Sequence, residues 1–140
     1  MALFWYSVTQ ELREIPQETY DMWVEIGNPK AQVYSPVPAQ PHPQARYNGT
    51  EWVLPPIEQL RAQRLAQINW EAGRRIESVW PLWAQSNASL GVYPESDANA
   101  CRQWIEQHID ASNTATARVN AATTAAEIDA VVVAWPEAAA

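Results

Sequence analysis

The chain is poor in cysteine and glycine, and each shortage excludes a class of site. Cys101 is the single cysteine among 140 residues, so no intramolecular disulfide can form and no zinc site can be built from several thiolates. A lone free thiol fits a reducing compartment. The four glycines are isolated from one another, which leaves no glycine-rich loop to cradle a phosphate.

Positive charge is also scarce. Lys30 is the only lysine, and the formal net charge is −7. An acidic surface repels phosphate, so we predict no nucleic-acid partner. The sequence has no cluster of lysine and arginine that would bind an anionic membrane surface. The opening "MALFWYSVTQ" has no basic region before its short apolar run. The sequence therefore predicts neither a signal peptide nor a membrane partner.

The familiar catalytic and cofactor motifs are missing as well. The chain contains no HExxH, GxSxG, P-loop or GxGxxG pattern. Cys101 and His108 fall two turns apart on one predicted helix, about 10 Å along its axis, whereas a nucleophile and its base must meet at about 3 Å. We interpret both as core residues, and His42 lies among prolines that do not position it. We predict no enzyme, no cofactor and no metal site.

Aromatic residues are abundant by contrast, with eight tryptophans and five tyrosines beside one phenylalanine. The segment "ALFWYSVT" predicts a strand with Trp5 on one face and Phe4 and Tyr6 on the other. Pro16 then opens a short helix that "GNP", beginning at Gly27, brings to an end. "AQVYS" (31–35) could pair with the first strand. Residues 1–35 thus predict a small β-rich head with one short helix.

A proline-rich segment, residues 36–46, follows this predicted head. Its prolines at 36, 38, 41 and 43 exclude a helix and favour an extended, stiff linker. The same segment contains a PxxP pattern from Pro38 to Pro41, so an adaptor that docks through this stretch stays an alternative. Asn48-Gly49, between Tyr47 and Trp52, predicts a β-hairpin.

The remainder predicts helices, so that residues 47–140 form a hairpin plus helical domain. From Pro56 to Trp80, apolar residues recur every three or four positions, and the arginines fall mostly on the solvated side. Pro81 ends this helix and starts another turn. The apolar stripe comprises Ile57, Leu60, Leu65, Ile68, Ala72, Ile76, Val79 and Trp80, and the arginines are Arg61, Arg64, Arg74 and Arg75.

Two further helices complete the predicted α+β fold, whose C-terminal part is a bundle of three to four helices. "SNASLGVYPES" reads as a loop. Asp97–Ile109 is amphipathic, with Ser96 as its N-cap. Thr124 and Glu127 fit a capping box that starts a last helix through Trp135 to Pro136. The closing "EAAA" is expected to fray.

In the kind and order of its sequence segments, the chain resembles small tailed-bacteriophage proteins described as tail fibre assembly proteins or tail assembly chaperones. The resemblance rests on the aromatic strand, "IPQETYDMW", the "GNP" stop, "YNGTEWVLPP" before an Arg/Gln/Ala-rich helix, and the ending "AATTAAEIDAVVVAWPE". It implies a non-enzymatic protein that binds tail fibre protein and assists fibre assembly or attachment. It also implies localisation in the host cytoplasm during assembly, with retention in the virion tail left open.

A protein of this kind needs exposed aromatic contact area rather than a reactive site. Two alternatives stay open: a permanent structural subunit of the virion tail, baseplate or fibre-attachment site, and the Pro-rich adaptor. A homo-oligomeric state stays open too. The candidate interface residues are Phe4, Trp5, Tyr6, Trp23, Trp52 and Trp135.

Overall fold

The protein combines a small β-sheet with a longer run of helices, which confirms the predicted α+β class. The computed structural model describes residues 1–138, so the end of the tail expected to fray lies outside the described residues. The chain divides into two compact units, an N-terminal unit of Met1–Pro55 and a helical unit that begins at Pro56.

The N-terminal unit contains a three-stranded antiparallel sheet in the order β2-β1-β3. Its strands are β1 (Ala2–Tyr6), β2 (Glu11–Ile15) and β3 (Tyr34–Pro36). Phe4 lies opposite Arg13 on one side and opposite Pro36 on the other. The aromatic segment forms the predicted strand, but the strand ends at Tyr6 because the chain turns back through Gln10, whose φ is 56°.

Helix α1 (Gln17–Glu25) starts directly after a proline and ends at the predicted stop. Gly27 has a φ of 69°, in the left-handed region that favours glycine. Its amide donates to the Val24 carbonyl at 3.2 Å. The Asn28 amide donates to the Trp23 carbonyl at 2.8 Å. These two bonds satisfy the last carbonyls of the helix in a Schellman arrangement, as the sequence predicts.

The segment after this stop differs from the prediction. A short helix, α2 (Lys30–Val33), occupies most of the stretch predicted to be a strand, and β3 begins only at Tyr34. Pro29 has helical φ and ψ of −56° and −24°, and the Asn28 side chain accepts from the Lys30 amide at 3.0 Å. This local capping starts a helical turn despite the strand preference of Val33.

The two faces of the sheet bury different aromatic side chains. On one face Phe4 is fully buried, with its ring centroid 4.5 Å from that of Tyr20 on α1. On the same face the rings of Tyr6 and Tyr34 stack at 4.8 Å. Trp5 points to the opposite face, where its ring lies 5.5 Å from that of Tyr47. The alternation predicted for β1 is confirmed.

The proline-rich segment is packed onto this sheet and is not a free linker. The Val37 amide donates to the Leu3 carbonyl at 3.1 Å, and the Trp52 indole donates to the Pro38 carbonyl at 2.8 Å. Ala45 is 1% exposed. Proline lacks an amide hydrogen but keeps its carbonyl, so Pro38 accepts a hydrogen bond while the neighbouring Val37 donates one.

The predicted hairpin forms but groups with the sheet instead of the helices. It consists of β4 (Arg46–Tyr47) and β5 (Trp52–Val53), and the Asn48 amide donates to the Glu51 carbonyl across the turn at 3.0 Å. The ring of Tyr47 lies between those of Trp5 and Trp52, within 5.5 Å of each centroid. This aromatic contact extends the N-terminal unit to Pro55, beyond the boundary predicted at residue 35.

Gly49, in the hairpin turn, is a position where a side chain should be costly. Its φ is 100°, and an added Cβ would lie 3.2 Å from the Trp5 indole. We expect Gly49→Ala to lower the free energy of unfolding of the N-terminal unit by about 1–3 kcal/mol. Urea denaturation followed by near-ultraviolet circular dichroism measures this change.

A matched glycine provides the control for this substitution. Gly73 lies inside a helix with nothing within 4 Å of an added Cβ. Gly73→Ala should therefore stabilise the helical unit by about 0.5–1 kcal/mol. Equal effects of the two substitutions would contradict the argument from backbone conformation.

The helical unit contains four helices within the described residues: α3 (Ile57–Val79), α4 (Leu82–Ser89), α5 (Glu95–Ala121) and α6 (Ala125–Asp129). The first three each begin directly after a proline with φ between −53° and −56°. Because Pro94 starts α5, Ser96 lies in the first turn and is not the N-cap. Helix α4 includes Ser86–Ser89, which the sequence predicts to be loop.

The core of the helical unit lies between α3, α5 and α6. Ile68 on α3 and Val119 on α5 are fully buried. The predicted stripe is confirmed at its centre, whereas Val79 at its end is 45% exposed. The buried members of the core are Leu60, Ile68, Ala115, Val119, Ala122, Ile128 and Val131.

Helix α6 begins as the predicted capping box requires, with one change of partner. The Glu127 amide donates to the Thr124 hydroxyl at 3.1 Å. The Glu127 carboxylate accepts from the amide of Thr123 at 2.8 Å, one residue before the N-cap. Both bonds satisfy amides that the helix itself leaves free.

The prediction that this helix continues through Trp135 is wrong. It ends at Asp129, and residues 131–138, here called the C-terminal segment, form neither helix nor strand. Consecutive β-branched valines at 131–133 disfavour a helix. Val131 is buried and Val133 packs against the core, whereas Val132 between them is 76% exposed. This conformation brings Val131 and Val133 to the core.

Three arginines of α3 form hydrogen bonds to the C-terminal half of the unit, although the sequence predicts that they are mostly solvated. Each is partly buried, and each donates to a backbone carbonyl that no helix satisfies. The pairs are Arg61 to Ala122 at 2.9 Å, Arg64 to Val131 at 2.8 Å and Arg75 to Pro136 at 3.1 Å. Arg74 is exposed, as predicted.

Candidate protein interface

Cys101 and His108 are both interior residues of the helical unit, as predicted. Cys101 is 3% exposed and His108 is fully buried. The Nδ1 atom of His108 lies 2.7 Å from the Trp104 carbonyl oxygen. A carbonyl only accepts, so Nδ1 carries the proton and Nε2 is left as an acceptor. Nε2 has no hydrogen-bond partner among the described residues.

Aromatic rings enclose this histidine. The Trp104 ring lies edge-on to the His108 ring at 4.3 Å, and the Trp135 ring stacks on it at 5.8 Å. The Arg75 guanidinium lies 5.5 Å from the centre of the Trp135 ring. Trp135, a predicted interface residue, thus packs inside the helical unit and joins the C-terminal segment to α3 and α5.

Across residues 1–138, no three or more His, Cys, Asp or Glu side chains come together in a geometry that could hold a metal ion. None of the helices in that range combines the length and the apolar character that crossing a membrane requires.

The buried thiol leads to a prediction about pH. Burial raises the pKa of Cys101 above its ordinary value of 9.0, and nearby Arg102 opposes this only in part. The folded state therefore holds the thiol proton more tightly than the unfolded state. The stability that this proton contributes is complete below pH 9.0 and is lost as the pH rises through the folded-state pKa.

We expect an aromatic disulfide reagent to label Cys101 at least about 100-fold more slowly at pH 8 in the native protein than in urea. Between about pH 8 and about pH 10.5, on either side of the ordinary thiol pKa, the free energy of unfolding of the wild type should also fall relative to that of Cys101→Ala. Equal labelling rates in the two states would contradict the burial.

The predicted interface residues of the N-terminal unit mostly serve its interior. Phe4 is fully buried and cannot contact a partner, because it fills the space between the sheet and α1. Trp5, Tyr6 and Trp52 are half-buried, and each ring packs on an aromatic ring of the same unit. Trp23 is half-buried, with its ring 5.7 Å from that of Tyr34.

Trp23 nevertheless belongs to an exposed apolar stripe on α1. Met22 is 50% exposed and Ile26 is 65% exposed. Ile26 lies three residues after Trp23 and four after Met22, so the three side chains share one face. We call Met22, Trp23 and Ile26 the α1 patch. The Lys30 ammonium lies 5.6 Å from the centre of the Trp23 ring and places a positive charge at its margin.

A second exposed apolar surface lies on α4 and was not predicted. Leu82 is 65% exposed, Trp83 67% and Leu90 78%. On a helix these side chains point to one side together with Ser86 and Ser89, while Ala84 on the opposite side is buried. We call Leu82, Trp83, Ser86, Ser89 and Leu90 the α4 face.

The sequence does carry a signal for this surface. From Ser78 to Pro94 no residue is charged, although the chain as a whole is acidic. A helix on the surface of an acidic protein normally carries charged side chains on its solvent side. The uncharged stretch therefore indicates a helix that is not fully solvated, which a search for catalytic motifs does not reveal.

A groove between α4 and α5 adjoins the α4 face. Its volume is about 590 Å³, and Leu82, Cys101 and Ile105 line it. Small side chains, among them Ala98, Ser86 and Ser89, make up much of the rest. Arg102 is the one charged residue of its lining. A pocket of this size can receive a few side chains of a partner.

Comparisons with known proteins identify no relative of this chain. No protein-family model matches the chain, and neither a curated protein nor a solved structure is significantly similar to it. The α1 patch and the α4 face are therefore interpreted from the residues of this chain alone.

Proposed function

We propose that this protein is a bacteriophage tail-associated protein that binds tail fibre protein and assists the assembly or attachment of the fibre, without catalysing a reaction. The resemblance of its aromatic strand, its hairpin and its C-terminal ending to tail fibre assembly proteins supports this proposal. The α1 patch is the structural observation that carries it.

The α1 patch has the composition of a protein-binding surface. Helix α1 has no fully buried residue, and on one side the exposed Met22 and Ile26 side chains lie beside the half-buried Trp23. Tryptophan is enriched among the residues that contribute most to binding, and methionine adapts its shape to different partners. Lys30 beside the stripe favours a partner that carries a carboxylate there.

A fibre assembly factor needs such a surface because it holds apolar parts of an unfinished trimer. It needs no reactive group. The predicted interface residues Trp5, Tyr6 and Trp52 brace the unit that presents the α1 patch.

Co-expression of the full chain with the tail fibre protein of its source phage, followed by affinity capture, tests the proposal. We expect the fibre protein to be retained and Ile26→Ser to reduce the retained amount by about tenfold, the loss typical of an interface anchor. Val24→Ser is the matched control, since Val24 is 55% exposed on the opposite side of α1. No retention with the wild-type chain would overturn the proposal.

A permanent virion subunit is the second candidate, and the four helices described beyond Pro55 favour it, because they are more structure than a minimal assembly factor needs. Mass spectrometry of purified particles separates the two roles. An assembly factor is absent from the particles, whereas a structural subunit is present at a fixed copy number relative to the fibre.

A further inference from the structure

Helix α4 carries no charged residue and exposes large apolar side chains, which is unusual for a helix that borders solvent. Ala84 is buried against the helical unit, while Leu82, Trp83 and Leu90 project away from it. A helix with large apolar side chains on the side away from its own core is suited to lie between two layers of protein. In this structure one of those layers is present, and the other side of α4 is open.

The charge of the open side differs from that of the chain as a whole. With a net charge of −7, two copies of this chain repel each other over most of their surfaces. Juxtaposed like charges cost several kcal/mol at an interface. The stretch from Ser78 to Pro94 carries no charge, so two copies can approach there without placing carboxylates opposite each other.

The shape of this surface also suits a second copy. A two-fold symmetric interface must be self-complementary, with the same patch contributing projections and hollows. Here the large Trp83 and Leu90 side chains project, and the neighbouring α4–α5 groove offers a hollow lined with small residues such as Ser86 and Ala98. We propose that two copies of this chain form a dimer by packing their α4 faces together.

The symmetry of this dimer makes a local prediction. Ser86 lies at the centre of the α4 face, about one helical turn after Leu82 and one turn before Leu90. When two such faces pack about a two-fold axis, the central residue of one copy lies close to that of the other. A cysteine at position 86 should then form a disulfide between copies under mild oxidation.

Sedimentation velocity of the full chain, from about 1 to about 100 μM, tests the dimer over the range expected for a small interface. We expect dimers that dissociate on dilution, and Trp83→Ser should raise the dissociation constant at least about tenfold. Trp70→Ser is the matched control, because Trp70 is 63% exposed on α3, outside the face, and should change the constant less than about twofold.

The cysteine variant gives an independent measurement. In a Cys101→Ala background, Ser86→Cys should yield a covalent dimer with an added oxidant, and Ser78→Cys, on α3, should yield much less. A wild-type chain that stays monomeric throughout the range would overturn the proposal. A dimer that Trp83→Ser leaves intact would also overturn it. A third contradicting result is a monomeric chain that captures fibre protein and loses this capture in Trp83→Ser, because the α4 face would then bind fibre protein.

Discussion

Replacing Trp135 with alanine should lower the free energy of unfolding of the helical unit by about 2–4 kcal/mol. The ring stacks on the buried His108 and lies under the Arg75 guanidinium. It also packs against the core that Val119 and Ile128 form. Alanine removes these contacts at once and leaves Arg75 and His108 beside a cavity.

Chemical denaturation of the full chain, followed by circular dichroism at the helical band, measures this loss. Trp70→Ala is the control, because Trp70 is 63% exposed and its removal should cost less than about 1 kcal/mol. If both variants unfold at the same urea concentration, the C-terminal segment contributes nothing to the core.

Ile68→Ala should destabilise the helical unit by about 2–5 kcal/mol. Ile68 is fully buried at the centre of α3 and belongs to the core shared with Ala115 and Val119 of α5. The cost combines the lost transfer of apolar atoms out of water with the cavity that the rigid helices cannot close. A domain of this size has a total stability of only about 5–15 kcal/mol, so the change is a large part of it.

Amide hydrogen exchange assigns this loss to the correct unit, since the chain has two units that need not unfold together. Protection should fall throughout α3 and α5 and stay unchanged in the sheet of the N-terminal unit. Ile109→Ala, at a residue that is 48% exposed, should change protection little. Uniform loss in both units would show that they unfold as one.

The two proposals concern different units and can fail separately. Fibre capture depends on the α1 patch, and self-association depends on the α4 face. A monomeric chain that captures fibre protein would support the proposed function and contradict the dimer. A dimeric chain that captures no fibre protein would support the dimer and contradict the proposed function.

Prolines at helix starts and a glycine at a helix end made much of the secondary structure predictable. Helices α1, α3 and α4 begin after Pro16, Pro56 and Pro81, as the sequence indicates. Proline restricts its own φ and blocks the preceding residue from a helix, so this effect depends on neighbours in the chain alone. The stop at Gly27 has the same local origin.

Residues that depend on distant partners were predicted less well. Arg61, Arg64 and Arg75 lie off the apolar stripe, and periodicity alone assigns them to solvent. They are partly buried because carbonyls more than fifty positions later in the chain need donors. Helical spacing at Trp135 was likewise misleading, because the ring packs on His108 from a segment outside any helix.

The sequence by itself determined the α+β class, the starts of helices α1, α3 and α4, the hairpin and the interior position of Cys101 and His108, because short-range backbone preferences and apolar periodicity act along the chain. Only the tertiary structure decided that the hairpin packs on the sheet, that Phe4 is sealed inside and that Trp83 is exposed. These outcomes depend on which surfaces meet, and a surface is covered or left open only when distant parts of the chain compete for it.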